Sequence, residues 1–120
     1  MKLRIHKNSI RLRLSQIEVD EIAKGNPINE TLEMGESQEK SFGYSLTPLD
    51  NLAEISVEYV HNELKVTFPK ILAMEWAGTD RVSLTNEPDQ GLKILIEKDF
   101  QCLHKRPEED ESRNFPNPMA

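Results

Sequence analysis

Four cations open the chain at alternating positions: Lys2 and Arg4, then Arg11 and Arg13. Residues two apart on a strand share a face, so each pair points one way if its segment is extended. A two-residue turn at Lys7-Asn8 places Arg4 opposite Arg11 and Lys2 opposite Arg13. Like charges directly across a strand pair destabilise it by about 0.2–1 kcal/mol each. Such a surface invites an anion: nucleic-acid phosphate, a small phosphorylated ligand, or carboxylates. The plainer alternative is a solvated face whose charge is absorbed by acidic side chains nearby in the fold. The chain offers one acidic run itself, Glu108, Glu109, Asp110 and Glu111. Folded back, that run would neutralise the four cations, with Phe115 as an apolar anchor and Pro116 and Pro118 limiting the entropy lost on docking. The alternative for the tail is a frayed terminus.

Cys102 and His104 are the other chemical pair. Two apart on a strand, they project to one side, and with Asp99 or a tail carboxylate they sketch a zinc site or an activated thiol. Against that, a metal site needs three or four ligands, and no second cysteine exists. His6 and His61 fall beside or within turns, where solvated histidines are ordinary. Trp76 reads as core rather than a ligand platform. Leu72 and Met74 add apolar surface to the second helix, pointing to deeper burial or to a homodimer contact. No P-loop, GxGxxG, GxSxG, HExxH, EF-hand or paired-cysteine motif occurs, so no cofactor is expected.

The elements that must position these residues are legible from periodicity. Shifted by 54 positions, the apolar residues Met1, Leu3, Ile5, Ile10, Leu12, Leu14, Ile17, Val19, Ile22, Ala23 and Ile28 all fall on apolar partners, from Ile55 through to Val82. Each stretch alternates with period two around an X-Asn pair, Lys7-Asn8 or His61-Asn62, which reads as a hairpin with a tight turn. The pattern then changes to helical. Ser15 with Glu18 forms a capping box, Ile17, Ile22 and Ala23 make the buried side, and Gly25 suits the end. In the second copy Pro69 opens the helix and Gly78 closes it. A strand pair is expected after each helix, at 28–34 with 42–46 and at 82–84 with 92–96, the copies being joined by a connector at 47–51. The expectation is an α+β fold: a duplicated β-hairpin–helix–β-hairpin unit, about eight mostly antiparallel strands and two short helices. It occupies 1–120 as a single domain, with repeats at 1–46 and 55–104 and a tail at 105–120.

Composition bounds the function. The chain has 120 residues and a formal charge of −6, the wrong sign for bulk binding to nucleic acid or an anionic membrane. No aromatic residues interleave the cations as a single-strand binder requires. No apolar stretch nears the roughly 18 residues of a membrane span, and the basic start lacks an uninterrupted apolar secretory region. One cysteine cannot form an internal disulfide, which fits a reducing cytoplasm.

The opening MKLRIHKNSIRLRLSQIEVDEIA and the closing LKILIEKDFQCLHKRPEEDESRNFPNP resemble a family of small bacterial proteins of unknown function. The resemblance implies a soluble bacterial intracellular protein, transfers no mechanism, and places 99–118 within the folded unit. Three functions follow from the residues: a non-enzymatic binding or interaction domain, for an unknown protein or small anionic ligand; an anion or nucleic-acid binder using Lys2, Arg4, Arg11 and Arg13; or an enzyme or metal site around Cys102 and His104.

Overall fold

The computed structural model describes residues 1–86 and 91–100. The first alternating stretch forms β1 (Lys2–His6) and β2 (Ser9–Leu14), antiparallel, in the expected register: Ile5 faces Ile10 and Leu3 faces Leu12. A one-residue slip would send every apolar side chain to solvent, so the pattern determines the pairing. The turn differs in detail from expectation. Lys7, not Asn8, takes the left-handed conformation, with φ 51°, whereas His61 and Asn62 both take it in the second hairpin.

Ser15 caps α1 (Gln16–Ala23) as its sequence requires: its side chain accepts from the Glu18 N–H, and Glu18 accepts from the Ser15 N–H at 2.9 Å. Gly25 follows at φ 95°, its N–H donating to the Ile22 carbonyl. The buried helix face is Val19 and Ile22, not Ile17, which is 76% exposed. At about 100° per residue, Ile17 lies some 200° from Val19 and so faces water.

The chain continues through β3 (Ile28–Glu33), a 3₁₀ turn at Gln38–Lys40, and β4 (Ser41–Leu49). Strand β4 absorbs Thr47, Pro48 and Leu49, which the sequence suggested for the connector. There β4 pairs with only one neighbour, since β3 ends its pairing at Leu46, so proline's missing N–H is tolerated. The second half follows as β5 (Ser56–Val60), β6 (Glu63–Pro69), α2 (Lys70–Gly78), β7 (Ser83–Thr85) and β8 (Lys93–Lys98). Gly78 is the last helical residue rather than a left-handed cap, and the chain leaves through extended Thr79, whose hydroxyl donates to the Glu75 carbonyl.

The halves share one element order, and 54 residues separate β1 from β5, β2 from β6 and the start of α1 from that of α2. Their strands are exchanged. One sheet runs β1-β2-β8-β7 and the other β3-β4-β6-β5, so each first hairpin pairs with the second hairpin of the other half. The joining contacts, β2 with β8 and β4 with β6, are parallel; all other pairs are antiparallel. At each join the turn asparagine helps: the Asn8 carbonyl accepts from Lys93 N–H and the Asn62 carbonyl from Gly43 N–H. The fold is α+β, with eight strands in two mixed sheets and two helices among the described residues.

One apolar cluster unites these parts. Leu12, Leu14, Leu84, Ile94 and Ile96 come from the first sheet, Leu46, Val66 and Phe68 from the second, and Ile22, Ala73 and Trp76 from the helices. The helices pack on each other, with Lys70 at the start of α2 against Gly25 at the end of α1. Trp76 is fully buried, as its sequence position implied, and its indole N–H donates to the Val82 carbonyl at 3.0 Å.

Candidate functional site

The sequence-predicted cations do come together. Lys2 faces Arg13 and Arg4 faces Arg11 on the outer side of the first sheet. What the sequence did not reveal is their neighbour. Strand β8 buries Ile94 and Ile96, so Lys93, Glu97 and Asp99 turn outward beside the arginines. Glu97 accepts from Arg13 Nε at 3.1 Å and lies 3.4 Å from Arg11 Nε. Lys2 pairs with Asp99 at 3.1 Å. Internal carboxylates therefore absorb part of the charge, Glu97 from β8 and Asp99 just beyond it. Among the described residues five cations on this face still meet two carboxylates. Among the described residues Arg4 has no ion-pair partner, and it stands across from Arg11.

The alternation of 93–98 was a signal for the outward direction of Glu97. Its partner strand was not legible, because parallel pairing between residues more than 80 positions apart leaves no local mark. Cys102, His104, Glu108, Glu109, Asp110, Glu111 and Phe115 lie outside the described residues, as does the tail at 105–120. Among the described residues no three His, Cys, Asp or Glu side chains are grouped to hold a metal ion, and no helix is long and apolar enough to cross a membrane.

A second surface escaped the sequence reading. On the inner side of the second sheet the helices cover only one end. At the other, Leu32 is 55% exposed, Met34 61% and Tyr59 62%. Leu32 sits directly across from Phe42, whose ring stacks on Tyr59 with centroids 6.4 Å apart. Tyr44 extends the row, 6.2 Å from Phe42. The apolar strip thus spans the sheet from edge strand β3 to edge strand β5. Each residue taken alone is an ordinary strand residue; only the sheet order makes them neighbours.

The chain belongs to a family of unknown function, DUF7009, whose family model matches residues 1–119. The match takes in both sheets and both helices, and agrees with the family likeness of the opening and closing blocks. No curated protein and no solved structure matches the chain. DUF7009 membership assigns no activity.

The sheets are tied at one polar point. The Met1 ammonium group is paired with Glu18 on α1 and with Glu30 on β3, the latter at 2.9 Å, and Tyr44 donates to the Met1 carbonyl at 3.0 Å. Burial disfavours the charged amine, but hydrogen bonds and attraction from Glu18 and Glu30 outweigh it and raise its pKa above the usual 8.0. For Glu18, burial pushes upward, yet the amine and the Ser15 N–H hold the carboxyl below its ordinary value. Burial, with the charges of Glu30 and Glu18, raises Tyr44 and keeps it a neutral donor. On α2, Leu72 packs against the core, while Met74 and Ile71 are exposed at 54% and 81%.

Proposed function

We propose that the protein is a non-enzymatic interaction domain whose partner surface is the apolar strip at the open end of the second sheet. The strip carries this reading: Leu32, half-buried Phe42 and Tyr59 are neighbours in one row, with Leu32 and Tyr59 largely exposed. Contiguous apolar surface of this kind marks contact sites, whereas single exposed apolar residues are ordinary. Aromatic side chains give large contact area at little entropic cost, and the partner that suits them is the apolar face of another protein. The lone cysteine supports a cytoplasmic setting, and exposed Ile71 and Met74 support self-association through α2 as a lesser contact.

A second reading has its own observation. The outer face of the first sheet keeps Arg4 and Arg11 opposed, with more cations than carboxylates, and so suits an anionic ligand. Photo-crosslinking from position 32 and from position 4, in the cell that makes the protein, separates the two. The first reading expects a salt-insensitive adduct with another protein from position 32. Adducts only from position 4, lost as salt rises, would replace it with the second. Adducts from neither position would discard both.

A further inference from the structure

Strands β1 and β5 hold equivalent places in the two halves, 54 residues apart, and each is the last strand of its sheet among the described residues. Their edges carry opposite charge at the same point. Arg4 is the middle residue of β1 and Glu58 the middle residue of β5, and neither has an ion-pair partner among the described residues. An exposed apolar side chain follows each of them: Ile5 is 61% exposed and Tyr59 62%.

We infer that β1 of one copy of this chain pairs antiparallel with β5 of a second copy, joining a first sheet to a second sheet edge to edge. Register is the first argument. Centred on the two middle residues, the pairing sets Arg4 against Glu58, Leu3 against Tyr59 and Ile5 against Val57. Opposed residues share a face, so the apolar pairs continue the inner faces of both sheets and the ion pair lies outside. Ile5 and Tyr59 each meet a half-buried side chain, Val57 or Leu3.

Backbone hydrogen bonding is the second argument. A two-residue turn makes its flanking residues a hydrogen-bonded pair, here His6 with Ser9 and Val60 with Glu63. Alternation then directs the backbone groups of Arg4 and Glu58 into their own hairpins, and those of Leu3, Ile5, Val57 and Tyr59 toward the sheet edges. These are the residues that the register brings together, so the outward donors find acceptors. Arg4 and Glu58 fall in the non-hydrogen-bonded position, where opposed side chains stand closest.

Charge is the third. Centred in the same way, β1 against a second β1 sets Arg4 on Arg4 and Lys2 on His6, and β5 against a second β5 sets Glu58 on Glu58. Like charges in such positions repel, and the mixed contact alone is compensated. Each copy offers one edge of each kind, so the contact is heterologous and runs head to tail until it closes on itself. It goes beyond the apolar strip, since it engages the edge of β5 and leaves Leu32 on the opposite edge of that sheet uncovered.

Charge exchange in the full chain tests the contact, with average mass read by sedimentation in dilute buffer as concentration rises. The unaltered chain is expected to grow beyond one copy. Arg4→Glu opposes two carboxylates and Glu58→Arg two guanidinium groups, and each alone is expected to weaken self-association about tenfold. Mixed in equal amounts, the two variants are expected to associate as the unaltered chain does. The altered β1 then meets the altered β5, and the unaltered β1 the unaltered β5. Should Glu58→Arg, which puts a cation across from Lys65, fail to fold, Glu58→Gln is expected to weaken self-association about threefold. A chain that stays a single copy at about 1 mM overturns the inference. So does a mixture that associates no better than its parts, or association indifferent to these substitutions, which would assign self-contact to α2. The strip is read separately, by the adduct from position 32.

Discussion

The two sheets share a plan and differ at corresponding positions. Across the first hairpin stand Lys2 with Arg13 and Arg4 with Arg11; across the second, Ser56 stands with Thr67 and Glu58 with Lys65. The Ser56 and Thr67 hydroxyls share a hydrogen bond of 2.8 Å, and Lys65 lies 3.7 Å from Glu63. The second hairpin thus pairs its outer-face cation within itself, while the first draws Glu97 from β8 and Asp99 just beyond it. On the inner side the order is reversed. The open end of the first sheet has aliphatic Ile5 and Leu92, where the second has Tyr59 and Phe42. Each sheet has specialised one face, and not the same face. A shared scaffold thus holds two different surfaces apart.

The comparison is broken most forcefully at the centre of the sheets. Leu46 on β4 and Ile96 on β8 are both fully buried and hold corresponding places on the joining strands. Truncation of either to alanine is expected to cost about 2–5 kcal/mol, through lost burial and the cavity left behind. Chemical denaturation should show the two costs similar and the transition two-state in both. One variant losing a single sheet while the other sheet stays folded would show that the common core does not couple the halves.

Next in size is the tie between the sheets. Where the second half has buried Ile55 packed into the core, the first has the charged amine of Met1 between Glu18 and Glu30. The amine's folded pKa is raised, so its stabilisation is complete below about pH 8 and is lost as pH rises through the higher folded value. Glu18 is lowered, so its contribution is present above its unfolded value near 4.5 and lost as pH falls through the lower folded one. Stability should therefore be greatest between these limits. Glu18→Gln preserves the capping box, since the glutamine oxygen also accepts from the serine N–H, and removes the charge together with the second oxygen that accepts from the amine. It should cost about 1–2 kcal/mol at neutral pH and flatten both flanks of the pH–stability curve. A variant curve parallel to the parent's would show that the amine contributes nothing.

Local features were legible because they rest on neighbours in sequence. Period two and the turn residues determined both hairpin registers, and Ser15 with Glu18 the start of α1. The burial of Ile17 was misjudged because three apolar residues were fitted to one helix face when Val19 and Ile22 suffice to fill it. The exchange of strands between halves was not legible at all. The contacts of Ile10 with Ile94 and Leu46 with Val66 depend on a parallel alignment with no turn to set it, and any apolar strand of matching parity satisfies the pattern equally. Everything functional that hung on those contacts was hidden with them: the sharing of Glu97 by Arg11 and Arg13, and the meeting of Leu32, Phe42 and Tyr59 at one end of a sheet.

The smallest effect tests the outer faces themselves. Among the described residues Glu97 is the one carboxylate that Arg11 and Arg13 share, and its side chain is only 16% exposed. Glu97→Gln leaves both arginines in place beside the like charges across the hairpin. Surface pairs contribute about 0.2–1 kcal/mol each, so the loss should be about 1 kcal/mol in dilute buffer, most of it removed by 0.5 M salt, where the screening length falls to about 4 Å. Thr47 holds the corresponding place on β4, and Thr47→Val should show no salt-dependent change, since threonine carries no charge to lose. If Glu97→Gln proves equally insensitive to salt, the cations of the first sheet are held apart well enough by water alone. The reading of that face as poised for an anion would then lose its energetic basis, leaving the apolar strip of the second sheet as the specialised surface.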